Sequence, residues 1–180
     1  MKKNTKLYNM IIPIWMAFIY PWMWIIMLPL NYIIDSLVFY ITMKVLKLKQ
    51  KKLIYKISIL KIWIFGFISD FIGAVILFIP LIINNAFNLD VRYKTGLFYA
   101  IMDKLMEVTL NPFDNIYAFI LTTIAVLVSA LFIYWFNCNF TLKKAVENNY
   151  INDIEKRKIA LSIAIFTAPY LFYLPTILFF

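Results

Sequence analysis

Histidine is absent from the 180 residues, and cysteine occurs once, at Cys138. Without histidine, and with one thiol, the usual zinc sites lack their ligands, so no metal is expected. The same shortage removes Ser-His and Cys-His catalysis. A single cysteine allows neither an intrachain disulfide nor a dithiol redox cycle, and nothing in the chain asks for a cofactor. Charge is scarce as well: only 15% of the residues carry it, nine acids against 18 bases. Glycine occurs three times.

What the chain has in abundance is apolar surface. With 64% hydrophobic and 19% aromatic residues, it holds more than a soluble domain of this length could bury. The expected fold is all-α: a polytopic integral membrane helix bundle, one domain over residues 1–180, with four to five membrane segments. The net charge of +9 does not point to nucleic acid, because the lysines flank apolar runs, where the positive-inside rule places them. The opening MKKNTK followed by apolar residues imitates a signal peptide, but the run continues to about Met43 with no small-residue cleavage site and reads as a retained segment. Richness in Ile, Lys, Asn and Phe suggests AT-rich codons, hence a bacterial cytoplasmic membrane.

Three spans stand out, at about 61–83, 116–137 and 159–180, each about 20 residues and so able to cross a core of about 30 Å. Residues 44–61 carry Lys44, Lys47, Lys49, Lys51, Lys52, Lys56 and Lys61 without an acid, and residues 143–158 carry Lys143, Lys144, Lys156, Arg157 and Lys158. Both connections belong in the cytoplasm. The lysine-rich loop would attract anionic lipid headgroups. Asn139-Phe140-Thr141 matches a glycosylation sequon but falls on that cytoplasmic side.

The stretch between the first two spans holds Asp90, Asp103, Glu107 and Asp114 against Arg92, Lys94 and Lys104, and is placed outside. Within it, about 96–110 reads as an amphipathic helix: Leu97, Phe98, Ile101, Met102 and Leu105 share one face, Asp103, Lys104 and Glu107 the other. Asn111-Pro112 ends it, and Asp114 or Asn115 is placed to cap the next span.

Met10 to Met43 is harder. A helix of 34 residues would be about 51 Å long, too long for one crossing and short for two. Pro13, Pro21 and Pro29 interrupt it. A single crossing opened by Pro21 would leave Lys2, Lys3 and Lys6 outside. A turn at Leu28-Pro29-Leu30-Asn31 would make a hairpin of segments 10–28 and 31–46 and return those lysines to the cytoplasm. Charge favours the hairpin.

The residues most able to carry chemistry are Asp35 and Asp70. A carboxylate at membrane depth costs roughly 2.5–3.5 kcal/mol on insertion scales, so a bundle that keeps one has a partner or a pathway for it. Asp35 lies nine residues before Lys44 and Asp70 nine after Lys61, which puts both about 13 Å inside the cytoplasmic boundary. Asn31 and Thr42 share a helix face with Asp35, and Asn31, Asp35, Thr42 and Asp70 form a candidate ion or proton site. Gly66 and Gly73 flank Asp70 on one face and read as close helix packing. Ala118, Thr122, Ala125 and Ser129 line a further small face, and Ser162 and Thr167 add polarity to the last span.

Two aspartates on neighbouring membrane helices invite comparison with intramembrane aspartyl proteases, which carry Tyr-Asp on one helix and Gly-x-Gly-Asp on the next. Here Ile34-Asp35 and Phe67-Ile68-Ser69-Asp70 stand in those places, and neither motif is present. The expected role is therefore a non-enzymatic accessory or partner-binding membrane component. The rival is a minimal transporter or channel component that handles protons or cations through the aspartate pair, as a homo-oligomer or with a membrane protein partner.

Overall fold

The computed structural model describes residues 21–86, 96–106 and 111–175. All regular structure among them is helical: α1 (Pro21–Val45), α2 (Lys51–Ala86), α3 (Leu97–Met106), α4 (Ile116–Phe136), a π-turn (Asn137–Thr141), α5 (Lys143–Glu147), α6 (Asp153–Phe166) and a 3₁₀ turn (Tyr170–Tyr173). Three helices are long and apolar enough to cross a membrane: α1, α2, and α4 with its continuation into α5. The protein is an all-α membrane bundle.

The hairpin turn expected at Leu28-Pro29-Leu30-Asn31 is not formed; Pro29 lies inside the continuous α1. Proline removes one helical hydrogen bond, whereas a turn in apolar surroundings would leave several backbone groups without partners. Trp63 of α2 supports this stretch by donating its indole N–H to the Leu28 carbonyl at 2.8 Å. Edge-on ring pairs, Trp24 with Phe67 and Tyr32 with Trp63, fasten the same two helices. The expected segment 10–28 falls largely outside the described residues, along with residues 87–95, 107–110 and 176–180.

α2 also starts earlier than expected, at Lys51 rather than Lys61. Lys, Leu and Ile continue a helix readily, and Ile54, Ser58, Ile59 and Ile62 turn one face of this extension inward. The connection from α1 is tight. Lys47 takes the left-handed conformation (φ 53°), and Leu48 N–H donates to the Met43 carbonyl at 3.2 Å, closing a Schellman motif around a buried Met43–Leu48 pair.

The far connection repeats the device. Asn149 is left-handed (φ 56°) and Tyr150 N–H donates to the Ala145 carbonyl at 2.9 Å. A capping box then opens α6, with the Asn152 side chain accepting from Glu155 N–H and Glu155 accepting from Asn152 N–H, worth about 1 kcal/mol. Lys156 pairs with Asp153 at 2.6 Å and holds that exposed carboxyl below the usual carboxylate range. Residues 143–158 are thus α5, a turn and the first residues of α6 rather than a loop.

At the other end Asn115 is the cap of α4, accepting from Ala118 N–H at 2.9 Å. It also donates to the Lys104 carbonyl at 2.9 Å, which ties α3 across the bundle end. Leu97 and Phe98 of α3 stay exposed, as a helix lying along an interface would leave them.

The last span is the largest departure. The expected continuous segment 159–180 is replaced by a helix that stops at Phe166. Pro169 has no N–H to extend the ladder and disfavours a helical Ala168. The chain bends through Thr167–Pro169 and resumes as the 3₁₀ turn, where Tyr173 donates its hydroxyl to Thr123 at 2.9 Å and stacks with Phe113 near the start of α4. α6 and this turn together run the length of the bundle as a broken segment.

Two apolar cores result. One, at the lysine-rich end, gathers Phe39, Met43, Ile54, Ile62, Ile133 and Ile163; the other gathers Ala74, Leu77, Ala118, Ala125, Val126 and Phe172. The small face expected on α4 is buried as read: Ala118, Thr122, Ala125 and Ser129 are all inaccessible. It receives Gly73 of α2. A Cβ at Gly73 would run into Ser129 Oγ and stand 3.0 Å from both the Ala125 carbonyl and the Phe172 ring. At Gly66 a Cβ would meet only the Asp35 carboxyl, at 3.2 Å. Replacing a helical glycine by alanine gains about 1 kcal/mol of propensity, while overpacking costs about 1–3 kcal/mol. Gly73→Ala should therefore lower the thermal unfolding midpoint in micelles by several degrees, and Gly66→Ala should leave it nearly unchanged. Equal midpoints for the two variants would contradict this packing.

Candidate functional site

Between the two cores lies a polar layer. It contains Asp35 of α1, Ser69 and Asp70 of α2, Ser129 of α4 and Thr167 at the helix break. Asp35 and Asp70 are 5% and 7% exposed, so both carboxyls are withdrawn from the lipid-facing surface.

Asp35 rests on Gly66, the one position of α2 where no side chain stands in its way. Gly66 lies one turn before Asp70 on α2, and the Asp70 side chain leans back toward that turn. The carboxyls are brought together: Asp35, Asp70 and Asn31 line one cavity of about 290 Å³. Thr167 lines it as well, adjoining the Asp35 carboxyl while donating its own hydroxyl to the Ile163 carbonyl at 2.9 Å.

The cavity exists because α6 stops. Below the break α6 packs along both α4 and α1; above it, the 3₁₀ turn keeps to α4. The gap left between α1 and residues 166–172 opens beside the carboxyls. Non-helical backbone at membrane depth is tolerated where it is buried in protein or lines a polar cavity, and broken membrane helices form ion and substrate sites for that reason.

Asp70 Oδ1 is buried without a hydrogen-bond partner. An unpartnered buried polar atom costs about 1–3 kcal/mol, more when charged. Ser129 Oγ is orphaned in the same layer, whereas Ser69 donates to the Phe65 carbonyl at 2.7 Å.

Thr42, expected in the site, is elsewhere. Its hydroxyl donates to the Val38 carbonyl at 2.8 Å and shares a 2.7 Å hydrogen bond with Ser162, so it joins α1 to α6 nearer the lysine-rich end. A shared helix face fixes direction but not depth, and Thr42 is two turns too deep. Gly73 lets α4 approach closely, whereas Gly66, expected to pack a helix, faces the Asp35 carboxyl. Thr167, expected to add polarity to the last span, lines the cavity, and it is joined by Ala168 and Pro169, which sequence reading does not assign to the site; the proline after two small residues is the available signal. Among the described residues no cluster of three or more metal-ligating side chains is present.

No protein family, curated protein or solved structure matches this chain. The functional reading therefore rests on the site itself.

If the two carboxyls act as a unit, Asp35→Asn and Asp70→Asn should not add. Their double-mutant cycle, measured by unfolding in micelles, should give a coupling of about 0.5–3 kcal/mol. Additive losses would separate the two residues.

Proposed function

We propose that the protein is a non-enzymatic membrane component that binds a proton or a cation between Asp35 and Asp70, as a minimal element of a transport or channel system. One observation carries this reading: Asp70, whose Oδ1 is buried with no partner, lines a cavity that also holds a second carboxyl, where a membrane segment is broken. Two carboxylates at that depth need a compensating positive charge. A shared proton or a bound cation supplies it. Purely structural aspartates would be expected to have every oxygen bonded to a neighbouring helix.

We place the protein in a bacterial cytoplasmic membrane with its lysine-rich end inside. Lys44, Lys47, Lys49, Lys51, Lys52 and Lys56 gather there, at a depth suited to anionic headgroups, each worth about 1 kcal/mol near such a surface. An accessory role is compatible with the same site. α1 is the least covered of the three long helices, with 17% of its apolar window buried against 39% and 33% for α2 and α4. A partner membrane protein, or a second copy of this chain, would cover it and complete a pathway that so few helices cannot enclose alone.

The test is spectroscopic. Infrared difference spectra of the protein in lipid near neutral pH should show a protonated carboxyl band that converts to carboxylate when a cation is added. The band should be lost in Asp70→Asn. Both carboxylates found ionised with no cation bound would overturn the proposal.

A further inference from the structure

The chemistry of the cavity walls narrows the ligand. A dehydrated metal ion is held by a compact shell of oxygens, six to eight for calcium at about 2.3–2.6 Å. This cavity, at about 290 Å³, is instead lined mostly by apolar side chains, with the carboxyls of Asp35 and Asp70 and the amide of Asn31 at one side. Its size lies at the lower edge of small-molecule sites, roughly 300–1,000 Å³, which are mostly apolar with a few placed polar groups. The walls fit that description. The carboxyls and Asn31 come from α1 and α2, and the facing wall brings the rings of Phe166, Tyr170 and Phe172 together with Leu171.

We infer that the cavity binds an organic monocation with an apolar or aromatic body, the positive centre set against Asp70 and the body against the rings of residues 166–172. This rests on the cation-binding reading above and specifies the class of cation. Asp70 is the counter-ion because its carboxyl lines the cavity and its Oδ1 has no hydrogen-bond partner, whereas the Asp35 carboxyl is seated on Gly66. Aromatic faces add cation–π attraction when the charge is desolvated.

The geometry also indicates the route. Ile34 and Leu171 line the cavity and are 39% and 43% exposed, and Phe166 beside them is 66% exposed. The gap between α1 and the broken segment therefore opens sideways, toward the lipid. A ligand that partitions into a bilayer reaches it directly, and an amphipathic cation does so where a hydrated metal ion does not.

Benzyltrimethylammonium is a suitable probe, because it carries a fixed charge and cannot act by delivering a proton. Neopentylbenzene has the same shape without the charge. With the full chain in lipid nanodiscs, benzyltrimethylammonium should bind saturably, one per chain. Neopentylbenzene should bind at least tenfold more weakly, and sodium or potassium at equal concentration should not compete. Asp70→Asn should weaken binding of the cation at least tenfold. Because an aspartate substitution at this depth can disturb folding, Ile34→Trp provides a second arm: it narrows the lipid-facing mouth without touching a charge and should slow association several-fold. Equal binding of the neutral analogue would overturn the inference, as would unaltered binding in a folded Asp70→Asn variant. Displacement of a carboxyl-bound proton by sodium or potassium, with no binding of benzyltrimethylammonium, would overturn this inference alone and leave the cation-binding proposal standing. Absence of both responses would remove the two together.

Discussion

The architecture depends on one electrostatic constraint: two carboxyls are held inside a bundle whose remaining interior is apolar. Desolvating a charge in such surroundings is costly without a partner, and the fold is arranged around that cost. The core divides into two clusters with a polar layer between them. The break between α6 and the 3₁₀ turn occurs at that layer rather than at an interface. Gly66 clears the space that the Asp35 carboxyl fills.

The helix break is the counterpart of the carboxyls. A continuous α6 would pack along α1 to its end and close the gap that now exposes Asp70 to a cavity. Pro169 prevents this, and Tyr170 and Tyr173 steady the bend, Tyr170 by donating its hydroxyl to the Ile165 carbonyl at 2.6 Å. The upper part of the segment is drawn onto α4 by Tyr173 and its ring contacts with Phe113 and Phe119. Gly73 permits this too, since its missing side chain leaves room for Phe172. Packing of the C-terminal turn and opening of the cavity are thus one event, and residues far apart in sequence share responsibility for the site.

Much of this was legible in the chain. Asp35 and Asp70 stand out because ionisable residues at membrane depth are rare, the small face of α4 follows from spacing, and spacing narrows its cap to Asp114 or Asn115. Other features were not legible. Pro29 and Pro169 are both prolines within apolar runs, yet α1 continues through the first while α6 ends before the second. The difference lies in tertiary support: Trp63 reaches the backbone beside Pro29, while beyond Pro169 the aromatic contacts with α4 reward leaving the helix. Lysine positions misplaced the start of α2, because lysine is both a membrane-boundary residue and a good helix former. Thr42 was read into the site because periodicity reports a direction around a helix and is silent on height.

On our proposal Asp35 and Asp70 border one site that a positive charge completes. Solid-state NMR of the protein in lipid, with aspartate carboxyl carbons labelled and Asp90, Asp103, Asp114 and Asp153 replaced by asparagine, observes that pair alone. A dipolar cross-peak between the two remaining carboxyl carbons is expected, with a further contact from Asp35 to Gly66 and a shift of the Asp70 carboxyl resonance when a cation is added. Two isolated carboxyl resonances, with no mutual contact and no response to any cation, would contradict it.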